Sequence, residues 1–321
     1  MIRRLGVVMD AVDHIKAYKD TTVGLLREAQ RRGYRIDYME PQALALRDGV
    51  PLAHARAMTL TADDTAWCEL QAPRPLALAD LDVILIRKDP PFDREYLYTT
   101  YLLEYAEAAG VLVVNKPASL RDANEKLFAQ EFRECVPPTL VTSRGEDLHA
   151  FLADHQDIVV KPLDGMGGAS VFRVRTIDPN VNVIFETLTA LGTRFMMAQR
   201  YLPAIAEGDK RILMIAGEPV PYALARIPLP GETRANLAAG GHGVGHPLTA
   251  SDRHICALVG PSLRARGLLF VGLDVIGDRL TEINVTSPTG LRELEAAFGI
   301  AIAGQVFDAI EAVLRARGLG S

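Results

Sequence analysis

A chain of 321 residues is long enough for about two domains of ~150 residues each, and its 49% apolar content supplies their cores. A formal charge of −5, from 40 acids against 35 bases, gives no general attraction to nucleic acid or anionic membrane, so small molecules are the expected partners. No apolar run approaches the ~20 residues of a membrane span, the start is too short for a signal peptide, and Cys68, Cys135 and Cys256 lack metal or redox spacing, so the expected compartment is a reducing cytoplasm.

Leu5–Met9 reads as a buried strand ending at Asp10, Thr21–Arg32 as a helix stopped by Gly33, and Arg35–Met39 as a second strand. Residues 41–79 are rich in Pro and Ala and read as a hairpin or irregular crossover around Trp67. Leu81–Ile86 is a strand, Tyr96–Ala109 a helix stopped by Gly110, and Val111–Val114 a further strand. This alternation predicts a small parallel α/β sheet with helices on both faces. Arg87-Lys-Asp-Pro-Pro-Phe92 follows the C-terminal end of a strand, where such sheets bind ligands, so Arg87 is a candidate for a substrate carboxylate.

Ala118–Phe132 reads as a helix with Arg121, Asn124, Glu125 and Lys126 on its polar positions, broken by Val136-Pro-Pro138. Gly145–Asp154 is another helix. A strand then runs through Ile158-Val-Val-Lys161 into a glycine loop and out along Val171–Arg175. Gly165, Gly167 and Gly168 let the backbone turn and aim N–H groups at phosphate oxygens. No Gly-Lys-Ser/Thr follows, so this is not a Walker loop. Lys161 lies in an apolar run, where a buried cation needs an anion.

Val183–Leu191 reads as a helix, Arg194–Leu202 as a strand, and Glu207–Arg211 as a charged turn. Ile212–Ile215 and Val220–Ala225 form a hairpin about Gly217-Glu-Pro219. Ile227–Pro247 is a long Gly- and Ala-rich loop, a length usual for functional lids. Ser251–Arg266 is a helix, and Leu291–Phe298 and Gln305–Arg317 are the last two. The seven histidines show no ligand spacing and receive no role.

Val271–Ser287 holds the most telling pattern: two apolar strands about Gly277-Asp278-Arg279, interrupted by Asp274, Glu282 and Asn284. Oxygen ligands on one sheet face suit Mg²⁺, which completes its shell with water and phosphates. A two-residue loop would set Asp274 opposite Thr281, on the wrong face. A three-residue loop pairs it with Glu282, so a metal site predicts the odd loop. The alternative is a set of edge-strand residues facing water.

In collinear order, these features resemble the ATP-grasp carboxylate–amine ligases, and within them the bacterial glutathione synthetase family. The runs that carry the likeness are Arg-Lys-Asp-Pro-Pro-Phe at 87, Asn-Glu-Lys at 124, Lys-Pro-Leu-Asp-Gly-Met-Gly-Gly at 161, Gly-Asp-Lys-Arg at 208, Ala-Arg-Ile-Pro at 225, Gly-Glu-Thr-Arg at 231 and Thr-Glu-Ile-Asn-Val-Thr-Ser-Pro at 281. Two departures are Gly290, where the family pattern has cysteine, and Ala235, where it has glycine.

The resemblance implies an N-terminal parallel α/β unit over 1–122, a small ATP-grasp lobe with the glycine loop over 123–202, and a large lobe with lid and metal site over 203–321. It implies ATP-driven joining of γ-glutamylcysteine to glycine through an acyl phosphate, giving glutathione, ADP and phosphate, in a homotetramer. Lys126 and Lys161 would contact phosphates, and Asp164, Gly165, Met166, Gly167 and Gly168 would cover the γ-phosphate. Gln199, Arg200, Tyr201 and Leu202 would read adenine, with Glu207 or Asp209 on the ribose. Asp274, Glu282 and Asn284 would hold Mg²⁺, with Mn²⁺ as the alternative. Arg211, Arg226 and Arg234 would stabilise the oxyanion, and Arg87, Asn236 and Ser287 would meet substrate. Two other readings stay open: a different ATP-grasp ligase, such as a D-alanine–D-alanine or glutamate-adding enzyme, and a non-catalytic ATP-binding module.

Overall fold

The computed structural model describes residues 3–229 and 242–318. The first sheet is built from β1 (Arg4–Met9), β2 (Arg35–Met39), β3 (Leu44–Arg47), β4 (Val50–Leu60), β5 (Cys68–Leu70), β6 (Arg74–Ala77), β7 (Val83–Arg87) and β8 (Leu112–Val114), flanked by α1 (Thr21–Arg31), α2 (Arg94–Ala108) and α3 (Pro117–Asp122). β2, β1, β7 and β8 are parallel neighbours, as their apolar runs predict. The stretch 41–79 is a hairpin whose long arm β4 joins β2 antiparallel and collects β5 and β6 at its other edge, with Trp67 buried.

The end of α1 supplies a clean acid-titration test. Glu28 accepts from Arg31 and Arg32 at 2.7 Å, and the Arg31 bond first, then Arg32, pull its carboxyl down to about 2. A depressed folded pKa stabilises above the unfolded value and is lost as pH falls through the folded one. Glu28→Gln should therefore lower the urea midpoint fully at neutral pH, and the difference from wild type should shrink as pH falls from about 4.5 toward about 2.

The second sheet, order β11-β10-β12-β9, contains β9 (Thr139–Thr142), β10 (Asp157–Pro162), β11 (Phe172–Arg175) and β12 (Met196–Arg200), with α4 (Gly145–His155) and α5 (Val181–Thr189) on one side. The third, order β15-β14-β13-β16-β17, contains β13 (Asp209–Ile215), β14 (Glu218–Ile227), β15 (His242–Pro247), β16 (Phe270–Ile276) and β17 (Arg279–Asn284), with α6 (Ala250–Ala265), α7 (Leu291–Phe298) and α8 (Ile302–Ala316). Buried side chains of the first and third sheets merge into two shared clusters, one holding Val8 with Ile283 and the other Leu5 with Leu314. The second sheet keeps a cluster of its own around Leu148, Phe185 and Ala198.

Four sequence expectations are corrected. The helix expected over 118–132 ends at Asp122, because the Asn124 side chain captures the N–H groups of Lys126 and Leu127 at 3.1 and 3.0 Å and turns the chain. Lys126 thus lies in a turn, not on a helix. Asp209–Arg211 is strand rather than turn, each charge being neutralised sideways: Asp209 by Arg226, Lys210 by Asp252 and Arg211 by Asp274. Residues 242–247, expected in the long loop, pair with β14 over Tyr222–Ile227.

The fourth correction concerns the hairpin loop. Ile276 pairs with Arg279, so the loop has two residues, Gly277 (φ +61°) and Asp278. Asp274 nevertheless faces Glu282, because Thr281 is a β-bulge and its hydroxyl donates to the Asp274 carbonyl at 3.1 Å. The offset sits in the strand instead of the turn.

Candidate active site

The second and third sheets face each other across a cleft whose polar floor comes from β13, β14, β16 and β17. Lys161, on β10, reaches across it and donates to Glu282 Oε1 at 3.0 Å. Lys126 Nζ lies 3.8 Å from the same oxygen and donates to the Gly165 carbonyl at 2.8 Å. Burial by itself would raise the Glu282 carboxyl; Lys161 and then Lys126 overcome it and hold the group below its usual range.

A second ion cluster adjoins the first. Arg211 grips Asp274 with two donors, Nε to Oδ1 at 2.6 Å and Nη2 to Oδ2 at 3.1 Å. Arg226 Nη2 bridges Asp274 Oδ2 at 3.0 Å and Asp209 Oδ2 at 2.5 Å. Burial alone would raise Asp274, but Arg211 and Arg226 drive it far below the ordinary carboxylate range. Asp209 moves the other way, pushed up to about 6 by burial against the pull of Arg226. Its Oδ1 is buried without a partner among the described residues, while the residue lines the cleft. Lys126, Lys161, Arg211 and Arg226 are four cations set against the three carboxylates Asp209, Asp274 and Glu282. Cations and carboxylates thus alternate across the cleft floor, and the lysines and arginines are placed to re-pair with an entering polyanion.

The glycine loop roofs this floor. Gly167 (φ +62°) and Gly168 (φ +81°) occupy the left-handed region, and a side chain at Gly165 would collide with Pro162 at 2.7 Å. Met166 and the three glycines line the cleft, whereas the exposed side chain of Asp164 does not. At the far end Arg200, Tyr201 and Leu202 line it, with Arg173 stacked over the Tyr201 ring at 3.6 Å. Gln199 also lines it, its amide donating to Thr139 at 3.1 Å. Glu207 is exposed and outside the lining.

A second chamber continues past Asp274 and Glu282. It is bounded by Asn284, Ser287 and Thr289, by Lys16, Lys19 and Asp20 ahead of α1, and by Asp89, Glu125 and Glu293. Arg87 borders neither space. It is buried, donating to Thr22 Oγ1 and the Pro288 carbonyl at 3.0 Å each, so its guanidinium braces the chamber wall. This corrects the expectation of a substrate contact for Arg87: a strand-end arginine reads the same in sequence whether its donors meet ligand or protein. Arg234 and Asn236 lie outside the described residues.

Among the described residues no three His, Cys, Asp or Glu side chains form a ready cation site. Asp274, Glu282 and Asn284 offer two carboxylates and an amide, which fits Mg²⁺ taken together with phosphates and not a closed protein cage.

Comparison with known proteins agrees with this geometry. The prokaryotic glutathione synthetase N-terminal domain family model matches residues 4–121, and the ATP-grasp domain model of the same enzymes matches residues 125–299. Glutathione synthetase of Pseudomonas aeruginosa is 59% identical over 314 residues, covering 98% of this chain and 99% of its own. The Escherichia coli K12 enzyme of that name is 58% identical over 312 residues, covering 97% and 99%. The chain belongs to the prokaryotic glutathione synthetase family. Among solved structures, the D-cycloserine synthetase DcsG superposes with a TM-score of 0.68 at 16% identity over 97% of this chain and 99% of its own. A RimK domain ATP-grasp protein from Sphaerobacter thermophilus gives 0.61 at 20%, covering 95% and 98%. Both report the fold alone. The chain is thus an α/β ATP-grasp protein with the N-terminal domain of glutathione synthetases.

Lys16, Lys19, Asp20, Asp89 and Glu293 of the second chamber carry no functional signal in the sequence. Lys16, Lys19 and Asp20 lie ahead of α1 with no periodicity to flag them, Asp89 is overshadowed by Arg87 in the same run, and Glu293 reads as an ordinary polar position of α7. Glu125 carried a signal, being a lone acid inside the Asn-Glu-Lys run.

Proposed function

We propose that this chain joins γ-glutamylcysteine to glycine with ATP, releasing glutathione, ADP and phosphate. The observation that carries the phosphoryl-transfer half is the meeting of Lys161 and Lys126 over Glu282 beneath the glycine loop. The substrate half rests on relatives named glutathione synthetase at 58–59% identity over nearly the whole chain.

The dipeptide's cysteinyl carboxylate lies in the second chamber and attacks the γ-phosphorus; the bond to the ADP oxygen breaks and an acyl phosphate forms. Transfer of this kind needs chiefly position and neutralised charge. Lys126 and Lys161 exchange Gly165 and Glu282 for phosphate oxygens, and backbone N–H groups of 165–168 cap the γ-phosphate. The strand end 199–202 meets the adenine, and the partnerless Asp209 Oδ1 takes a ribose hydroxyl in preference to exposed Glu207. Asp274, Glu282 and Asn284 are the residues that would hold Mg²⁺ or Mn²⁺. Such an ion neutralises phosphate charge when bound.

The glycine amine then attacks the acyl carbon, and phosphate leaves. Arg211 and Arg226, with Arg234 from the segment outside the described residues, face the oxyanion of that step; removing one such donor typically costs ~3 kcal/mol. Ser287 and Asn236 contact substrate, and Arg87 holds the wall behind them. We place the three units at 1–122, 123–202 and 203–321, and the chain in the cytoplasm as a homotetramer. Its three cysteines are all free, and no single described helix is long and apolar enough to cross a membrane.

ADP release and glutathione formation, measured with both substrates, with each omitted, and with D-alanine in place of glycine, test this reading. Release that needs both γ-glutamylcysteine and glycine is the expected result. Release independent of either leaves a nucleotide hydrolase, and preference for D-alanine leaves a different ligase.

A further inference from the structure

Two side chains given no step in the chemistry above, the buried Asn115 and the half-buried Glu125 of the chamber wall, are spent on the backbone that carries the metal-site residues. Glu125 meets β17 twice. Its backbone carbonyl accepts from Ile283 N at 2.8 Å. Its Oε1 accepts from Val285 N at 2.9 Å, Thr286 N at 3.1 Å and Thr286 Oγ1 at 2.8 Å. Asn115 works from the opposite side, in the first sheet's half of the molecule. Its Nδ2 donates to the carbonyls of Val285 and Phe270 at 2.7 and 2.8 Å, and its Oδ1 accepts from Phe270 N at 2.9 Å.

Both peptide groups of Val285 are therefore held by side chains rather than by a neighbouring strand. Val285 directly follows Asn284 and lies three residues after Glu282; Phe270 begins the strand that carries Asp274. The flanking residues of the turn point the other way. Asn124 Nδ2 donates to the Leu163 carbonyl at 3.2 Å and Lys126 Nζ to the Gly165 carbonyl at 2.8 Å. Three consecutive residues thus tie the glycine loop to the end of β17. This is what the early end of α3 achieves: a continuous helix would turn these side chains about 100° per residue around its axis, and they would not share these two targets.

We propose that Glu125, assisted by Asn115, is a positioning residue that sets Glu282 and Asn284 in register with Lys161 and the glycine loop, acting through main-chain hydrogen bonds and not through contact with substrate. The inference rests on the nucleotide and metal reading of the cleft. It requires an acceptor at Glu125, not a negative charge. Support of this outer kind is worth about 10- to 100-fold in metal affinity or activity.

The test compares full-length wild type, Glu125→Ala, Glu125→Gln and Thr286→Val. Three quantities are read: amide hydrogen exchange at Ile283, Val285 and Thr286 without ligand, calorimetric affinity for a non-hydrolysable ATP analogue with Mg²⁺, and kcat and KM for γ-glutamylcysteine. Glu125→Ala should speed exchange at the three amides, weaken the Mg²⁺–nucleotide complex about 10- to 100-fold and lower kcat comparably, with the dipeptide KM within about twofold of wild type. Glu125→Gln keeps a carbonyl acceptor and should restore affinity and kcat to within about threefold. Glutamine as damaging as alanine would overturn the proposal, since charge would then be the requirement. So would a raised dipeptide KM with unchanged Mg²⁺–nucleotide affinity, which marks a substrate contact. Should Glu125→Ala fail to fold, Thr286→Val removes one donor only; it should still speed exchange at Val285, and unchanged exchange there refutes the clamp. A wild-type protein that makes no glutathione would remove the functional reading, while the ligand-free exchange experiment would still decide the clamp.

Discussion

Replacing Asp274 with asparagine is expected to remove about 3–5 kcal/mol of folding stability, because it leaves buried guanidinium groups without their anion. Asp274 is 4% exposed and accepts three charged donors from Arg211 and Arg226. Asparagine keeps the shape, but it carries no charge and offers one acceptor oxygen where there were two. Among the described residues, Arg226 retains Asp209, and Arg211 retains the Thr289 carbonyl at 3.2 Å and the Thr289 hydroxyl at 3.5 Å, neither of them an anion. Since whole domains are stable by only about 5–15 kcal/mol, the loss should appear as a large fall in the urea midpoint with unchanged slope. Glutathione formation should vanish with it, as one proposed metal ligand and the anchor of two oxyanion donors disappear together. A midpoint within experimental error of wild type would show that the two arginines find other partners, and the ion cluster would lose its structural role.

Lys161→Met should have the opposite profile, with a small change in stability and a large one in nucleotide binding. Methionine fills the same apolar run, and Glu282 keeps Lys126 at 3.8 Å. On the proposed arrangement the lost interaction is a charge-assisted bond to phosphate, worth about 1.5–3 kcal/mol, or roughly 10- to 100-fold in affinity. Calorimetric titration with an ATP analogue and Mg²⁺ measures it directly. Equal affinity in the variant would place the phosphates away from β10 and break the proposed arrangement of the cleft.

The site was legible where a residue contradicted its surroundings. A lysine within Ile-Val-Val and acids within Val-Gly-Leu or Leu-Thr have no local reason to be there, and Lys161, Asp274 and Glu282 do converge. What stayed hidden depended on partners distant in sequence. Asp209-Lys-Arg211 has the composition of a turn, and only the sideways pairing with Arg226, Asp252 and Asp274 explains a strand. Ala-Asn-Glu-Lys-Leu-Phe has the propensity of a helix, and its interruption follows from one asparagine side chain competing for backbone N–H groups. The bulge at Thr281 was inaccessible for a similar reason. Asp274 can face Glu282 only with an odd residue between the paired positions, and nothing local says whether it falls in the loop or the strand.

The separate apolar cluster of the second sheet has a mechanical consequence. Its interior draws on residues 140–198 alone, whereas the remaining two sheets cannot be parted without exposing common oily surface. The ties that Lys161, Lys126 and Asn124 make across that seam are polar, so water can replace them one at a time. The second sheet is therefore expected to open as a unit at lower free energy than global unfolding. On the proposed placement of the nucleotide, ATP entry and ADP departure are expected to need movement of this sheet alone, which faster amide exchange across 140–198 than in the other two sheets would report.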